Sequence, residues 1–158
     1  MLIQFQNYLT LENIYLWSNF GVIPFWLLLI TIPNSKITGI LVNSILIPLI
    51  LSSLYVYLGY QMIVAEENLI NIFNLYLSID NLYSLLSSEK FLVFFWLHFL
   101  ALNIFLGSWV TKDSLKYNVS RYITIISLVL CYFCGPVGLV FYWLFRIFFS
   151  KKISFDLI

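Results

Sequence analysis

Four apolar stretches, each about as long as a bilayer is thick, constrain this chain most. They run over residues 14–32, 37–60, 91–110 and 122–149. A helix needs about 20 apolar residues to cross about 30 Å of hydrocarbon. Only 9% of the residues are charged, against about 25% in a soluble domain, so little remains for a soluble module. The sequence predicts an all-α integral membrane bundle of four transmembrane helices, a single membrane domain over residues 1–158.

Prolines and charges distinguish the four predicted spans. Pro24 predicts a kink in the first span, because proline frees the carbonyl one turn earlier. Residues 61–90 mix acids with apolar residues at helical spacing, which predicts an interfacial amphipathic segment between the second and third spans. The fourth span exceeds a straight crossing, so we expect tilt, a kink at the Gly-Pro-Val-Gly run of 135–138, or emergence of the Arg146 end. The Arg146 side chain is expected to reach the membrane surface.

The charge distribution limits the partners of the chain. A net charge of +1 with eight scattered Lys and Arg lacks the basic stripe of nucleic-acid binding, so we expect no nucleic-acid partner. The basic residues divide evenly between the two sides of the predicted bundle, which leaves the orientation open. Residues 1–12 lack the basic region and cleavage site of a secretory signal. The chain is therefore expected to be made where it inserts, or to be mature.

The third span carries the densest polar chemistry. His98, the only histidine, is expected to face the bundle interior, where it takes part in proton transfer or ligand orientation, or forms an interhelical hydrogen bond worth about 1 kcal/mol. Asp113 lies about 22 Å further along the helix axis, so the two cannot form a dyad within this helix. Asp113 is expected either to pair with Lys116 or Arg121 at the membrane edge, or to act as an interfacial acid on a lipid-soluble substrate.

Other polar positions have two interpretations each. Asn103 and Gly107 lie one helical turn apart below Trp96, which favours either a cleft with a polar floor or a packing seam. The Gly-Pro-Val-Gly run favours either a binding site or a packing kink. Cys131 and Cys134 are interpreted as small buried helix residues rather than as a redox or metal pair. With one histidine and no Cys, Asp or Glu within helical reach of it, no metal site is predicted.

Several segments, in order and spacing, resemble a known family over nearly the whole chain. They are Ser18-Asn19, Pro24-Phe25-Trp26-Leu27-Leu28, Trp96-Leu97-His98-Phe99-Leu100-Ala101, Gly107-Ser108-Trp109 with Asp113, and Gly135-Pro136-Val137-Gly138 with Tyr142 and Arg146. The chain resembles the abscisic-acid-deficient-four-like family, small four-span membrane proteins related to a plant protein required for neoxanthin formation. In that family an aspartate usually stands at the position of Asn103, and often an arginine at that of Ser108.

The resemblance implies a role in carotenoid and xanthophyll metabolism, in a plastid or thylakoid membrane or a bacterial inner membrane. The implied activity is isomerisation of the epoxide end group of violaxanthin to the allenic end group of neoxanthin. It needs a base and an acid, and no cofactor is expected. On this interpretation His98 and Asp113 are catalytic, and the ligand contacts Trp96, Asn103, Gly107, Trp109, Gly135, Pro136 and Gly138.

The alternative is a non-enzymatic pigment- or lipid-binding subunit, or an assembly factor, of a larger photosynthetic membrane complex. Membrane lipid and a carotenoid are the expected small-molecule partners. A homo-oligomer or a membrane complex is the expected assembly.

Overall fold

A computed structural model of the protein describes residues 9–44, 46–64 and 76–150. These residues form six helices, which are α1 (Leu11–Thr31), α2 (Lys36–Leu41), α3 (Leu46–Val64), α4 (Ile79–Leu86), α5 (Glu89–Lys116) and α6 (Arg121–Ser150). Within these three ranges there is no strand. The predicted all-α fold is confirmed.

Four helical stretches are long and apolar enough to cross a membrane. They are α1, residues 36–64 with α2 and α3, α5, and α6. In the most apolar window of each stretch only 28–39% of the residues are buried, so most of these apolar side chains face outward. Such extensive exposed apolar surface is unfavourable in water and favourable in hydrocarbon. By length and composition, the prediction of four helices able to span a membrane is confirmed.

The helix boundaries refine the predicted spans. α1 is continuous through Pro24, and the kink at that residue stays a prediction. In the second stretch, α2 ends at Leu41 and α3 begins at Leu46. Pro48 lies in the first turn of α3, where its missing N–H leaves no helical hydrogen bond unmade.

The predicted interfacial segment of 61–90 is divided among several elements. Its first residues complete α3, its last two begin α5, and residues 65–75 lie outside the described part of the chain. Between them lies α4, which Ser78 caps by accepting a hydrogen bond from the Asp80 N–H at 3.1 Å. Apolar residues at helical spacing give α4 one apolar face, and none of its residues is buried. This pattern is typical of a surface helix, and its interfacial position stays a prediction.

The chain divides into two compact units. The first comprises Met1–Gly21 and Leu49–Ala101, and the second comprises Val22–Pro48 and Leu102–Ile158. Among the described residues of the first unit, buried apolar side chains include Leu58, Met62 and Leu97; those of the second include Val42, Ile104, Val110 and Leu128.

Helix α6 doubles back on itself inside the second unit. Cys134 has non-helical backbone angles, φ −142° and ψ 47°, and Pro136 two residues later has no N–H to continue the helical ladder. A Cβ atom built on Gly138 would lie 2.7 Å from the carbonyl oxygen of Ser127. In a straight helix these two residues would be about 16 Å apart along the axis. The two halves of α6 must therefore lie side by side.

The second half of α6 then runs alongside the end of α5, in the same direction. Asp113 contacts Arg146, and one turn earlier in both helices the Trp109 ring contacts the Tyr142 ring. Both contacting pairs are 33 positions apart in sequence. A constant separation between contacting residues means that the two helices run in the same direction. The predicted kink at 135–138 is therefore confirmed, and its effect is a reversal of the chain direction. The expected emergence of Arg146 is wrong, because the reversal returns this residue to the protein interior.

Candidate functional site

Asp113, near the end of α5, is held by two donors from the second half of α6. Its Oδ2 atom accepts hydrogen bonds from the Tyr142 hydroxyl and from Arg146 Nε, both at 2.6 Å, and its Oδ1 atom accepts from Arg146 Nη2 at 3.2 Å. Arg146 and Tyr142 are fully buried and Asp113 is 7% exposed. The result is a two-point ion pair whose charges compensate each other inside the second unit.

Aromatic rings enclose this ion pair. The Tyr117 ring lies 4.6 Å from Arg146 Cζ, which is cation–π distance. The edge of one ring in the Trp109–Tyr142 pair meets the face of the other, with 6.0 Å between their centroids. Trp109, predicted to contact a ligand, therefore packs on Tyr142, one of the two residues that bind Asp113.

The expected partners of Asp113 are corrected by this geometry. The prediction of a surface pair with Lys116 or Arg121 is wrong, since Asp113 binds Arg146, and Arg121 Nη2 instead donates to the Thr31 carbonyl at 2.9 Å. The prediction that Arg146 reaches the membrane surface is wrong as well. Both errors have one cause: a straight α6 would carry Arg146 about 38 Å from Arg121, whereas the reversed helix brings it back to Asp113.

His98 lies in the first unit, and its side chain is exposed. Its ring centroid is 5.7 Å from that of Tyr55, and the Tyr55 ring stacks on Phe94 at 3.9 Å. The expectation that His98 faces the interior is wrong, because the buried neighbours Leu97 and Leu100 take the inner face of α5. Within the described ranges His98 has no hydrogen-bond partner, and it is not among the groups that bind Asp113.

Trp96 and the asparagines of the first two spans make polar contacts. Trp96 Nε1, in the first unit, donates to Asn19 Oδ1 at 3.0 Å. Ser108 Oγ, in the second unit, donates to Asn43 Oδ1 at 3.1 Å. The first bond joins α1 to α5, and the second joins the segment between α2 and α3 to α5. Trp96, predicted to contact a ligand, has its one donor committed to Asn19.

The predicted glycine contacts are close-packing contacts. A Cβ atom on Gly107 would lie 2.7 Å from the Trp26 ring, and one on Gly135 would meet the Asn103 side chain. Asn103 is 6% exposed, and its amide nitrogen has no hydrogen-bond partner within the described residues. Gly138 packs against the first half of α6, while Pro136 is exposed. This face of α5 is therefore a packing seam, and the open space lies elsewhere.

One open space of the second unit is a cleft of about 640 Å³ at helix ends. Most of its lining residues are polar, and we call it the polar cleft. The lining residues are Thr31, Ile32, Pro33, Asn34, Ser35, Ser114, Leu115, Asn118, Val119, Arg121 and Thr124. They come from the α1–α2 turn, the end of α5 and the start of α6. This site was not predicted from the sequence, because Asn34 and Asn118 lie in turns between helices and belong to no motif.

The second open space is a shallow groove of about 210 Å³ between α1 and the first half of α6. Its lining is apolar and rich in aromatic rings, and we call it the aromatic groove; the residues are Ile23, Trp26, Leu27, Ile30, Val129, Tyr132 and Phe133. Trp26 and Tyr132 meet edge to face with centroids 5.6 Å apart. Ile30 of the groove precedes Thr31 of the polar cleft, so the two sites are neighbours along α1.

Metal-binding chemistry is not concentrated in either space. In the part of the chain that the structure describes, no group of three or more His, Cys, Asp or Glu side chains comes together. Cys131 and Cys134 are both free thiols. The expectation that both are buried is right for Cys131 and wrong for Cys134, which is exposed where α6 reverses.

Comparison with known proteins identifies the family. A family model described as ABA DEFICIENT 4-like matches residues 13–142. The chain belongs to this family. The Arabidopsis thaliana protein described as "Protein ABA DEFICIENT 4, chloroplastic" is 30% identical over 122 residues, which cover 76% of this chain and 54% of that protein. This chain thus spans about half the length of that relative. No solved structure matches the chain.

The family match includes most of the residues described above. The polar cleft, the aromatic groove, Asp113 and Tyr142 all fall within residues 13–142 of the ABA DEFICIENT 4-like match. Arg146, which completes the buried ion pair, lies four residues beyond its end. The resemblance drawn from the sequence is confirmed at the level of the family.

Proposed function

We propose that this ABA DEFICIENT 4-like protein acts in xanthophyll metabolism in a plastid membrane, and that it holds a xanthophyll polyene in the aromatic groove. The observation that carries the proposal is an outward-facing groove with aromatic walls in a member of this family. A carotenoid is a flat apolar rod about as long as the hydrocarbon layer is thick. A carotenoid that lies along α1 would replace its contacts with lipid by contacts with the aromatic rings of the groove.

The chemistry of the groove fits a polyene better than a polar metabolite. Among its lining side chains only Trp26 and Tyr132 carry a polar atom. Binding there depends on shape and on contact with aromatic faces rather than on hydrogen bonds. A polar end group of the pigment would extend past the groove toward a membrane surface.

The proposed reaction is the isomerisation of an epoxide end group to an allenic one. A base removes one proton from the polyene carbon beside the ring, the epoxide C–O bond opens, and an acid gives one proton to the oxygen, so the composition is unchanged. His98 is our candidate for proton transfer, because its imidazole is exposed and has no hydrogen-bond partner among the described residues. His98 belongs to the first unit and the groove to the second, so this role is proposed separately from pigment binding in the groove. Asp113 is assigned a positioning role, because both its oxygens already accept hydrogen bonds from Arg146 and Tyr142.

Replacing His98 with Gln is expected to lower allenic product by about a hundredfold or more, the usual contribution of a general acid or base. The measurement is the pigment profile of cells that make the epoxide precursor and express wild type or variant at equal levels. Phe95→Leu is the control, because Phe95 is also an exposed residue of α5. An unchanged profile for His98→Gln would remove the catalytic role of His98.

A second candidate function is pigment binding without catalysis, as part of a larger membrane complex. The observation that favours it is that neither the polar cleft nor the aromatic groove is lined by a carboxylate or an imidazole. Purification in mild detergent separates the two functions. A stoichiometric larger partner favours the binding subunit, whereas a pigmented protein that purifies alone and converts added precursor favours the isomerase.

A further inference from the structure

We infer that the polar cleft binds the phosphate-bearing headgroup of an anionic membrane lipid. The inference goes beyond the proposed function and uses a different site from the aromatic groove. It depends on the position of the cleft, on its charge and on its free hydrogen-bond donors.

The cleft lies where apolar helices end. Thr31 is the last residue of α1, Ser35 is the N-cap of α2, and Arg121 is the first residue of α6. The ends of membrane-spanning helices lie at the boundary between hydrocarbon and water. A lipid headgroup therefore reaches the cleft while its acyl chains stay in the bilayer.

The charge around the cleft is positive. Arg121 lines the cleft, and Lys36 and Lys116 are each next in sequence to a lining residue. The one acid beside these segments, Asp113, is buried and paired with Arg146. No Asp or Glu lines the cleft. Basic pockets at a membrane surface attract anionic headgroups.

The cleft offers more donors than its own structure uses. Arg121 commits Nη2 to the Thr31 carbonyl at 2.9 Å, which fixes a planar guanidinium that has five N–H groups in all. Asn34 and Asn118 are exposed, and their side chains form no hydrogen bond within the described residues. Thus three donor groups from two separate turns remain to meet an acceptor.

The hydroxyl groups of the cleft do not compete with these donors. The Thr31, Ser114 and Thr124 hydroxyls each donate to a backbone carbonyl three or four residues earlier, and Ser35 Oγ accepts from the Thr38 N–H. An uncharged hydroxyl or epoxide group bound in the cleft would leave the positive charge of Arg121 uncompensated. A phosphate group offers several acceptor oxygens to these donors, and its negative charge neutralises Arg121, so it is the better match.

The test is selective retention of lipid by the full chain. The protein is reconstituted in nanodiscs of equal phosphatidylglycerol and phosphatidylcholine, and the lipids that remain bound are counted by native mass spectrometry. Wild type should retain phosphatidylglycerol preferentially. Arg121→Gln should lower this retention about tenfold, because it removes a charged hydrogen-bond donor. Lys112→Gln is the matched control: it removes one charge from a residue outside the cleft lining and should change retention less than about twofold.

Asn118→Gly keeps the test valid if Arg121→Gln does not fold. Asn118 has φ of 52°, a left-handed conformation that glycine adopts freely, so this change removes the amide and keeps the turn. It should lower retention about threefold, the effect of one lost hydrogen bond. Equal retention of both lipids by wild type, or equal losses in Arg121→Gln and Lys112→Gln, would overturn the inference.

A separate arm distinguishes the lipid from a free anion. Inorganic phosphate is added at millimolar concentration to the protein in the same nanodiscs. If phosphatidylglycerol stays bound, the lipid is the occupant. If inorganic phosphate displaces it and raises the thermal midpoint of wild type but not of Arg121→Gln, the occupant is a free phosphate and the lipid assignment is overturned.

Discussion

Replacing Asp113 with Ala is expected to lower the free energy of unfolding by about 3–5 kcal/mol, the cost of leaving one partner of a buried ion pair uncompensated. The variant would leave the Arg146 guanidinium fully buried without its carboxylate, and the Tyr142 hydroxyl without its acceptor. The measurement is equilibrium unfolding of the purified protein in mixed micelles.

Two further variants separate the ion pair from a general loss of charge. Asp80→Ala removes an exposed acid of α4 and should change the free energy of unfolding by less than about 0.5 kcal/mol. Asp113→Leu combined with Arg146→Met and Tyr142→Phe replaces both charges and the buried hydroxyl by apolar groups and should recover most of the lost stability. If Asp113→Ala unfolds like wild type, the buried ion pair does not hold α6 in place.

Replacing Gly138 with Ala is expected to cost about 3 kcal/mol, because the added methyl group overpacks a contact that cannot relax. It would lie 2.7 Å from the Ser127 carbonyl oxygen, a backbone atom that no side-chain rotation can move away. Gly21→Ala is the matched control: nothing lies within 4 Å of its Cβ position, so the better helix propensity of Ala should stabilise α1 by up to about 1 kcal/mol.

The reversal of α6 can be measured as the distance between two spin labels, one in each half of the helix. Spin labels replace the exposed Tyr122 and Phe148 in a chain whose two cysteines have been changed to Ala. A straight helix would separate the labels by about 39 Å along its axis. The reversed helix predicts a much shorter distance, which lengthens or broadens in Gly138→Ala. A wild-type distance near the straight-helix value would contradict the reversal.

Hydropathy and helix-breaking residues predicted the helices themselves. Apolar length gave four stretches able to span a membrane, and Gly135-Pro136 marked the place where α6 changes direction. The angle at that place could not be predicted, because it depends on Cys134 leaving the helical conformation and on Gly138 packing against the first half of the helix. Neither contact has a signature in the hydropathy pattern.

The site predictions failed where that angle decides which residues meet. Asp113 was expected to find a basic residue nearby in sequence, yet Arg146 is thirty-three positions away. One available signal was Arg146 itself, because a charge in an apolar helix needs a buried partner or a route to the surface. The prediction that His98 faces the interior failed for another reason. Neighbouring residues of a helix point about 100° apart, so composition alone does not tell which of Leu97 and His98 faces inward.

The most direct test of the proposed function is whether the aromatic groove binds a xanthophyll. The purified protein is mixed with an epoxy-xanthophyll in mild detergent, and the pigment that remains with it after gel filtration is measured. Leu27 is 54% exposed and lines the groove, so Leu27→Trp should fill the groove. Leu144 is 51% exposed and does not line it, so Leu144→Trp is the control. We predict near-stoichiometric pigment on wild type and Leu144→Trp and little on Leu27→Trp. A wild-type protein without pigment, or a Leu27→Trp variant that carries as much as wild type, would contradict the proposal.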